Sequence, residues 1–158
     1  MKKNEKIRLG IILFWIYVVA MVWLMFLQRL PSIFQDGSFE NYGTQIILRL
    51  KLVPFETIKE FWNMLERAWS THAFINLVGN VLMFVPLGYG LPFLSKQARS
   101  FLGCMIVSFF VILIAEMIQL FTLLGYFDID DFILNLIGVA VGFFTQALIN
   151  RHFNIRSK

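Results

Sequence analysis

One carboxylate, Glu116, lies in the middle of the apolar run VILIAEMIQLF, and Gln119 follows it one helical turn later. An ionisable side chain in hydrocarbon is costly, so such groups normally face the interior of a helix bundle or a wet cavity. Amides on neighbouring runs are suitable partners, because each carboxamide has donors as well as an acceptor. The chain offers further polar side chains that could meet Glu116: Asn76, Asn80, Asp128, Asp130, Asp131 and Asn135.

This set of side chains permits two uses. The first is structural, since interhelical hydrogen bonds worth about 0.6–2 kcal/mol each can fix helix register. The second is recognition in an outward-open polar pocket. There Glu116 would be the central acceptor or donor, the asparagines would orient it, and the aspartates would form the rim. No catalytic residue is identified.

The stretch FDIDD also allows two interpretations of its own. Clustered aspartates can bind Mg²⁺ or Ca²⁺ through oxygen. Alternatively, Asp130 or Asp131 caps the helix that follows, accepting backbone N–H bonds at its positive dipole end. Capping requires no partner, so we favour it and expect neither a metal nor a cofactor.

Composition points to a membrane protein. Of the 158 residues, 58% are hydrophobic and 15% are charged, whereas soluble domains are about 45–50% apolar. The basic residues flank apolar runs instead of forming a patch, which argues against nucleic-acid binding. The lone Cys104 lies inside an apolar run, so it offers neither an internal disulfide nor a thiolate metal site.

Four segments approach the roughly 20 apolar residues that cross a bilayer. We therefore predict an all-α polytopic membrane protein with transmembrane helices at 9–27, 73–94, 101–124 and 132–149. The first follows a basic stretch, as signal peptides do. However, its apolar core exceeds the about 7–15 residues of a signal peptide, and no small-residue cleavage site follows, so we expect a retained helix.

The distribution of Lys and Arg predicts the orientation. Basic residues occupy segment 1–8, the turn at Lys96 and Arg99, and segment 150–158, which we expect to be cytoplasmic. The aspartate-containing turn and the loop 28–72 would then face outward. The loop 28–72 contains five basic residues against this rule, but its length weakens the rule.

The outer loop has three predicted parts. Residues 30–45 are polar and rich in turn formers. The stretch IILRLKLVPF alternates and permits a short strand with Ile46, Leu48, Leu50 and Leu52 on one side. Residues 55–70 predict an amphipathic helix that lies at the membrane interface or packs on the bundle. Its apolar residues recur at helical spacing: Phe55, Ile58, Phe61, Trp62, Leu65 and Trp69.

Small residues and prolines predict where helices pack. Gly138 and Gly142 form a GxxxG stripe that lets another backbone approach closely. Pro86, followed by Gly88, is expected to kink or end the second transmembrane helix. We interpret these four residues as architectural.

Four ordered motifs resemble the VanZ-like family: LVPFETI, NLVGNVLMFVPLGYGLP, AEMIQLF and FDIDDFILNLIGVAVGF, over about residues 50 to 147. Many members place an arginine shortly before the aspartates, where this chain has Leu124, Gly125 and Tyr126, so no Glu–Arg or Asp–Arg pair is implied. The positions that match the family pattern are Asn76, Asn80, Phe84, Pro86, Gly88, Glu116, Gln119, Asp128, Asp130, Asp131, Asn135 and Gly138.

The resemblance implies a protein of the bacterial plasma membrane with a role in resistance to teicoplanin-type glycopeptide or lipoglycopeptide antibiotics. The expected partners are membrane lipids, with a lipid-linked cell-wall precursor or a lipoglycopeptide as the ligand. Two alternatives stay open. One is a membrane enzyme acting on a lipid or cell-wall precursor, with Glu116 as general base or the aspartates holding a metal. The other is a structural subunit of a larger assembly that uses the glycine stripe and the amphipathic helix.

Overall fold

The computed structural model describes residues 3–27, 30, 41–67 and 70–156. Apart from two short strands, the regular structure in this part of the chain is helical, as the sequence predicted. A 3₁₀ turn, Gln97–Arg99, joins the fourth and fifth helices. In chain order the elements are α1 Lys3–Met25, α2 Tyr42–Leu48, β1 Leu50–Lys51, α3 Glu56–Arg67, α4 Thr71–Leu94, α5 Phe101–Phe121, β2 Phe127–Asp128 and α6 Ile129–Arg156.

Three helices are long and apolar enough to cross a membrane: Thr71–Leu94, Phe101–Phe121 and Ile129–Arg151. The stretch Gly10–Met25 of α1 is a shorter apolar helix. Large apolar side chains stay exposed along all four helices. Apolar surface of this extent is unusual on a soluble monomer and suits contact with acyl chains. The membrane character that composition predicted is therefore supported.

Serine residues begin two of these helices. Ser70 precedes α4, and its hydroxyl oxygen accepts the N–H of Ala73 at 3.3 Å. Ser100 precedes α5 and accepts the N–H of Gly103 at 3.1 Å. Each hydroxyl satisfies one of the backbone donors that the first turn of a helix leaves without a partner. These local bonds define where α4 and α5 start.

The most extensive helix–helix contact joins α4 and α6. A Cβ atom added at Gly138 or Gly142 of α6 would overlap the carbonyl oxygen of Val81 or Val85 of α4. Gly88 of α4 lies equally close to the α6 backbone. Small residues allow this approach, and packing of this kind drives helix association in membranes. The glycine stripe is therefore used inside the chain.

Pro86 lies within α4, which continues unbroken as a helix to Leu94. The predicted possibility that Pro86 ends this helix is therefore wrong. Prolines are tolerated in transmembrane helices because neighbouring helices and local adjustments satisfy the backbone group that they free.

The end of α5 also differs from the prediction. The helix ends at Phe121 and does not reach Leu124. Leu123 adopts a φ of 58°, a left-handed conformation that is uncommon for residues other than glycine. The N–H of Gly125 donates to the carbonyl of Gln119 at 3.2 Å, which closes the reversal of the chain. The chain therefore leaves α5 one turn earlier than hydropathy suggested.

The segment between α1 and α4 contains less strand than its alternation predicted. Ile46 and Leu48 belong to the helix Tyr42–Leu48, as does the end of the predicted loop 30–45. Only Leu50–Lys51 is extended, and it pairs in parallel with Phe127–Asp128. The ladder is short because its partner strand runs directly into α6. The prediction that Ile46, Leu48, Leu50 and Leu52 lie on one side of an extended stretch is therefore wrong.

The helix α3 lies within the predicted range 55–70, and Trp69 falls outside the described residues. Ile58, Phe61 and Leu65 are half-buried, because α3 packs against α4 and α6. Trp62 is 57% exposed. One part of the apolar face thus contacts the bundle, while another part is available to the surroundings.

Candidate functional site

Glu116 faces the interior of the bundle. It belongs to a buried stripe on α5 at four-residue spacing, formed by Cys104, Ser108, Ile112, Glu116 and Leu120. Only 3% of Glu116 is exposed. The five residues from Glu116 to the end of α5 at Phe121 correspond to about 7.5 Å of helix. The carboxylate therefore lies inside the protein near the end of α5 that leads to the aspartates.

Gln119 connects α5 to α1. Its amide nitrogen Nε2 donates to the carbonyl oxygen of Met25 at 3.0 Å. Met25 is the last residue of α1, where main-chain carbonyls have no partner within the helix. Gln119 is 5% exposed. Its buried amide donor therefore has a structural partner.

Asp128 caps α6. Its Oδ1 accepts the N–H of Asp130 at 2.9 Å, and its Oδ2 accepts the hydroxyl of Thr57 at 2.7 Å. Lys51 Nζ lies 4.0 Å from the same Oδ2. The sequence predicted that Asp130 or Asp131 caps this helix, and this choice of residue is wrong. The helix begins at Ile129, so Asp128 occupies the capping position.

Asp130 caps a different helix. Its Oδ1 accepts the N–H of Phe55 at 2.5 Å, and its Oδ2 accepts the N–H of Ile58 at 3.0 Å. Phe55 precedes α3 with a φ of 65° and has no side-chain acceptor with which to cap it. The carboxylate of Asp130, which is fully buried, supplies that acceptor and complements the helix dipole.

Asp131 joins α6 to α4. Its Oδ1 accepts the Asn80 Nδ2 amide at 2.5 Å. Asn80 therefore directs an amide donor to an aspartate, a bond that the pocket hypothesis did not include. Within the described residues, no group of three acidic, histidine or cysteine side chains is arranged to hold a metal ion.

Two asparagines leave an acceptor open. The Oδ1 atoms of Asn76 on α4 and Asn135 on α6 are buried, and neither has a hydrogen-bond partner among the described residues. Asn135 as a whole is 2% exposed. A buried amide without a partner costs roughly 1–3 kcal/mol, and such atoms require an explanation.

The depth of Asn76 matches that of Glu116. Cys104 Sγ on α5 lies 4.0 Å from the carbonyl oxygen of Gly88 on α4. Because a short turn connects these helices, they run in opposite directions, and equal steps away from this contact reach Glu116 on α5 and Asn76 on α4. Asn135 lies on α6 about one helical turn after Asp131, and therefore farther from the end of the bundle where α6 begins. The polar groups therefore occupy successive levels near one end of the bundle.

The structure adds residues that sequence reasoning missed. Arg49 Nη1 donates to the carbonyl of Leu123 at 2.8 Å, and the guanidinium lies 5.5 Å from the centroid of the Tyr126 ring. Arg49, which immediately precedes β1, thus reaches the turn between α5 and α6. The sequence contained a signal for Arg49, since the loop 28–72 carries basic residues that the orientation rule does not explain.

A bundle of apolar helices with polar side chains buried near one end defines a polytopic α-helical membrane protein. The chain belongs to the VanZ/LLP1 family, whose model matches residues 14–150. This match confirms the resemblance that the four motifs indicated and extends it toward the N-terminus as far as residue 14. Comparison with curated proteins and with solved structures gives no match.

Proposed function

We propose that this protein contributes to tolerance of teicoplanin-type glycopeptides and lipoglycopeptides in a bacterial plasma membrane. It does so as a binding protein: a polar intramembrane site takes up a lipid-linked or amphiphilic ligand close to the outer surface. A bound ligand there limits how the antibiotic engages its target at the membrane. Membership of the VanZ/LLP1 family supports this direction.

The observation that carries the proposal is the pair of open amide acceptors. Asn76 Oδ1 and Asn135 Oδ1 are buried without partners in the described part of the chain, on helices that pack against each other. A ligand that donates hydrogen bonds, such as a hydroxyl or an amide, would satisfy them. Glu116, which is buried on α5, adds an acidic group near the same end of the bundle.

The aspartates take a different part in this proposal from the pocket rim that the sequence suggested. Asp128 and Asp130 are 4% and 0% exposed. Both accept hydrogen bonds from α3, and Asp130 also accepts one from the residue before it. Asp131 accepts from Asn80. We therefore assign Asp128 and Asp130 to holding the outer segment on the bundle, Asp131 to joining α6 to α4, and the open amides to ligand binding.

The proposal includes a topology of four crossings with both termini in the cytoplasm. The exposed Trp62 on α3 supports a position of this helix at the headgroup level. Single cysteines placed at residue 63 and residue 97, labelled from outside intact cells, test this arrangement. Labelling at residue 63 alone agrees with it, and labelling at residue 97 contradicts it.

The subunit alternative loses one of its supports. Gly138 and Gly142 pack against the carbonyls of Val81 and Val85 within the same chain. The glycine stripe is therefore not available to a partner protein, and the binding function is the better account of the buried polar groups.

A susceptible bacterium expressing the chain provides the functional test. Asn135→Leu and Glu116→Ala, matched for membrane abundance, are expected to lower the inhibitory concentration of teicoplanin to that of cells without the protein. Asn150→Leu is the control, because Asn150 is an exposed asparagine on the same helix. Unchanged resistance in both variants rejects the proposed site.

A further inference from the structure

The short β-ladder places two cations beside one aromatic ring. Leu50 pairs with Phe127 and Lys51 pairs with Asp128. Arg49 immediately precedes β1, and Tyr126 immediately precedes β2, so both lie at the same end of the ladder. The Tyr126 ring centroid lies 5.5 Å from Arg49 Cζ and 5.7 Å from Lys51 Nζ.

These groups are accessible in the described structure. The side chain of Lys51 is 43% exposed, and Tyr126 is 52% exposed. Arg49 is half-buried and is held at Leu123 through Nη1. Its Nε is buried and has no hydrogen-bond partner among the described residues. The cluster therefore combines a cation that is hydrogen-bonded to the main chain with a more exposed one.

Two like charges held against one ring repel each other. The ring offsets part of this cost, since a cation within about 6 Å of an aromatic centroid is attracted to its face. The Asp128 carboxylate offsets another part of the repulsion, because it lies 4.0 Å from Lys51 Nζ. The same carboxylate also accepts hydrogen bonds from Thr57 and the Asp130 N–H. An anion on the exposed side would complete the neutralisation.

We propose that Arg49, Lys51 and Tyr126 form a phosphate-binding site at this end of the bundle. A guanidinium offers a planar donor fork that matches phosphate oxygens, and the lysine adds a point charge. A tyrosine beside them is typical of the level of lipid headgroups. The phosphate group belongs either to a phospholipid headgroup or to a soluble phosphate. This site is separate from the buried amides and does not depend on them.

Binding to the full chain in micelles of an uncharged maltoside detergent tests the site. The probes are dioctanoyl phosphatidylglycerol, dioctanoylglycerol without the phosphate, and inorganic phosphate, each titrated by calorimetry. We expect the phospholipid to bind and dioctanoylglycerol not to bind. Binding of inorganic phosphate with similar affinity would identify a soluble phosphate as the source, whereas its absence would identify the headgroup.

Variants define the residues involved. Lys51→Gln is expected to weaken phospholipid binding about fivefold, because each cation near a membrane surface changes the affinity by about this factor. The double variant Arg49→Gln with Lys51→Gln is expected to weaken binding about 25-fold. Lys59→Gln with Arg67→Gln is the control, since both residues are exposed on α3. Lys51→Gln alone keeps the test valid if Arg49 proves necessary for folding.

Two results with the variants overturn the proposal. One is equal affinity of the double variant and the wild-type protein for the phospholipid. The other is an equal loss in the Lys59 and Arg67 control, which would indicate attraction by net charge without a defined site. Binding of dioctanoylglycerol as tight as that of the phospholipid would also reject recognition of the phosphate.

Discussion

Asp130 and Asn135 lie close together on α6 and are both almost completely buried, yet the structure uses their oxygen atoms in opposite ways. Both carboxylate oxygens of Asp130 accept backbone N–H groups of the first turn of α3 and the residue before it. The amide oxygen of Asn135 has no partner in the described part of the chain. One residue completes the fold, and the other leaves a polar atom unsatisfied inside it.

This contrast distinguishes two functions of buried polar side chains. A carboxylate that accepts two backbone hydrogen bonds stabilises the protein, because charged acceptors form the stronger hydrogen bonds. An amide acceptor without a partner lowers stability, and proteins tolerate such costs mainly at functional sites. Stability measurements on matched variants can therefore distinguish the aspartates from the amides.

The largest effect is expected for Asp130→Ala. It removes the acceptor for two N–H groups at the start of α3, so the free energy of unfolding should fall by about 3 kcal/mol. Steric trapping of the full chain in bicelles measures this quantity. Glu60→Ala, an exposed carboxylate on α3, serves as the control and should have little effect. An equal loss in both variants would contradict a capping function of Asp130.

Asn80→Leu should have the next largest effect. The substitution removes the amide that donates to Asp131 at 2.5 Å, and a hydrogen bond to a charged partner is worth about 1.5–3 kcal/mol. We expect a loss near 2 kcal/mol, measured by the same method. If the variant is as stable as the wild-type protein, the link between α4 and α6 is not energetically important.

Thr57→Val tests the carboxylate of Asp128 and should have a smaller effect. Valine keeps the shape of the side chain but removes the hydroxyl that donates to Asp128 at 2.7 Å. The expected loss is about 1 kcal/mol. Thr71→Val is the control, because Thr71 is exposed at the start of α4. A similar change in the two variants would mean that the Thr57 hydroxyl adds nothing specific.

Asn135→Leu should change stability least and in the other direction. Leucine has a similar size and removes an acceptor without a partner, so the free energy of unfolding should stay constant or rise by up to about 1 kcal/mol. Resistance should nevertheless be lost, as proposed above. A destabilisation as large as that of Asn80→Leu would show that Asn135 is structural, and the comparison would no longer hold.

Much of the helical framework was predictable because its signals are local. Apolar runs of sufficient length indicated the long helices, and the buried side of α5 follows from the spacing of Glu116 with its neighbours. Helix ends were less predictable. The left-handed Leu123 that ends α5 has no signature in its own residue type, since such a conformation usually indicates glycine.

The sequence indicated the residues of the candidate site but not the hydrogen bonds between them. Asp130 and Asn80 were recognised as relevant, whereas their partners Phe55, Ile58 and Asp131 were not assigned to them. Arg49 was missed altogether. A hydrogen bond between residues far apart in sequence depends on the register of two packed helices, and hydropathy does not report register.

The sequence by itself determined the apolar helices and the inward position of Glu116, because these follow from residues within a few turns of one another, and its four ordered motifs indicated the family. Only the tertiary structure decided which carboxylate caps which helix, which amide oxygens stay open and where Arg49 and Lys51 meet Tyr126. These outcomes depend on the depth at which one helix lies beside the next, and a shift of one turn would give every polar side chain a different neighbour.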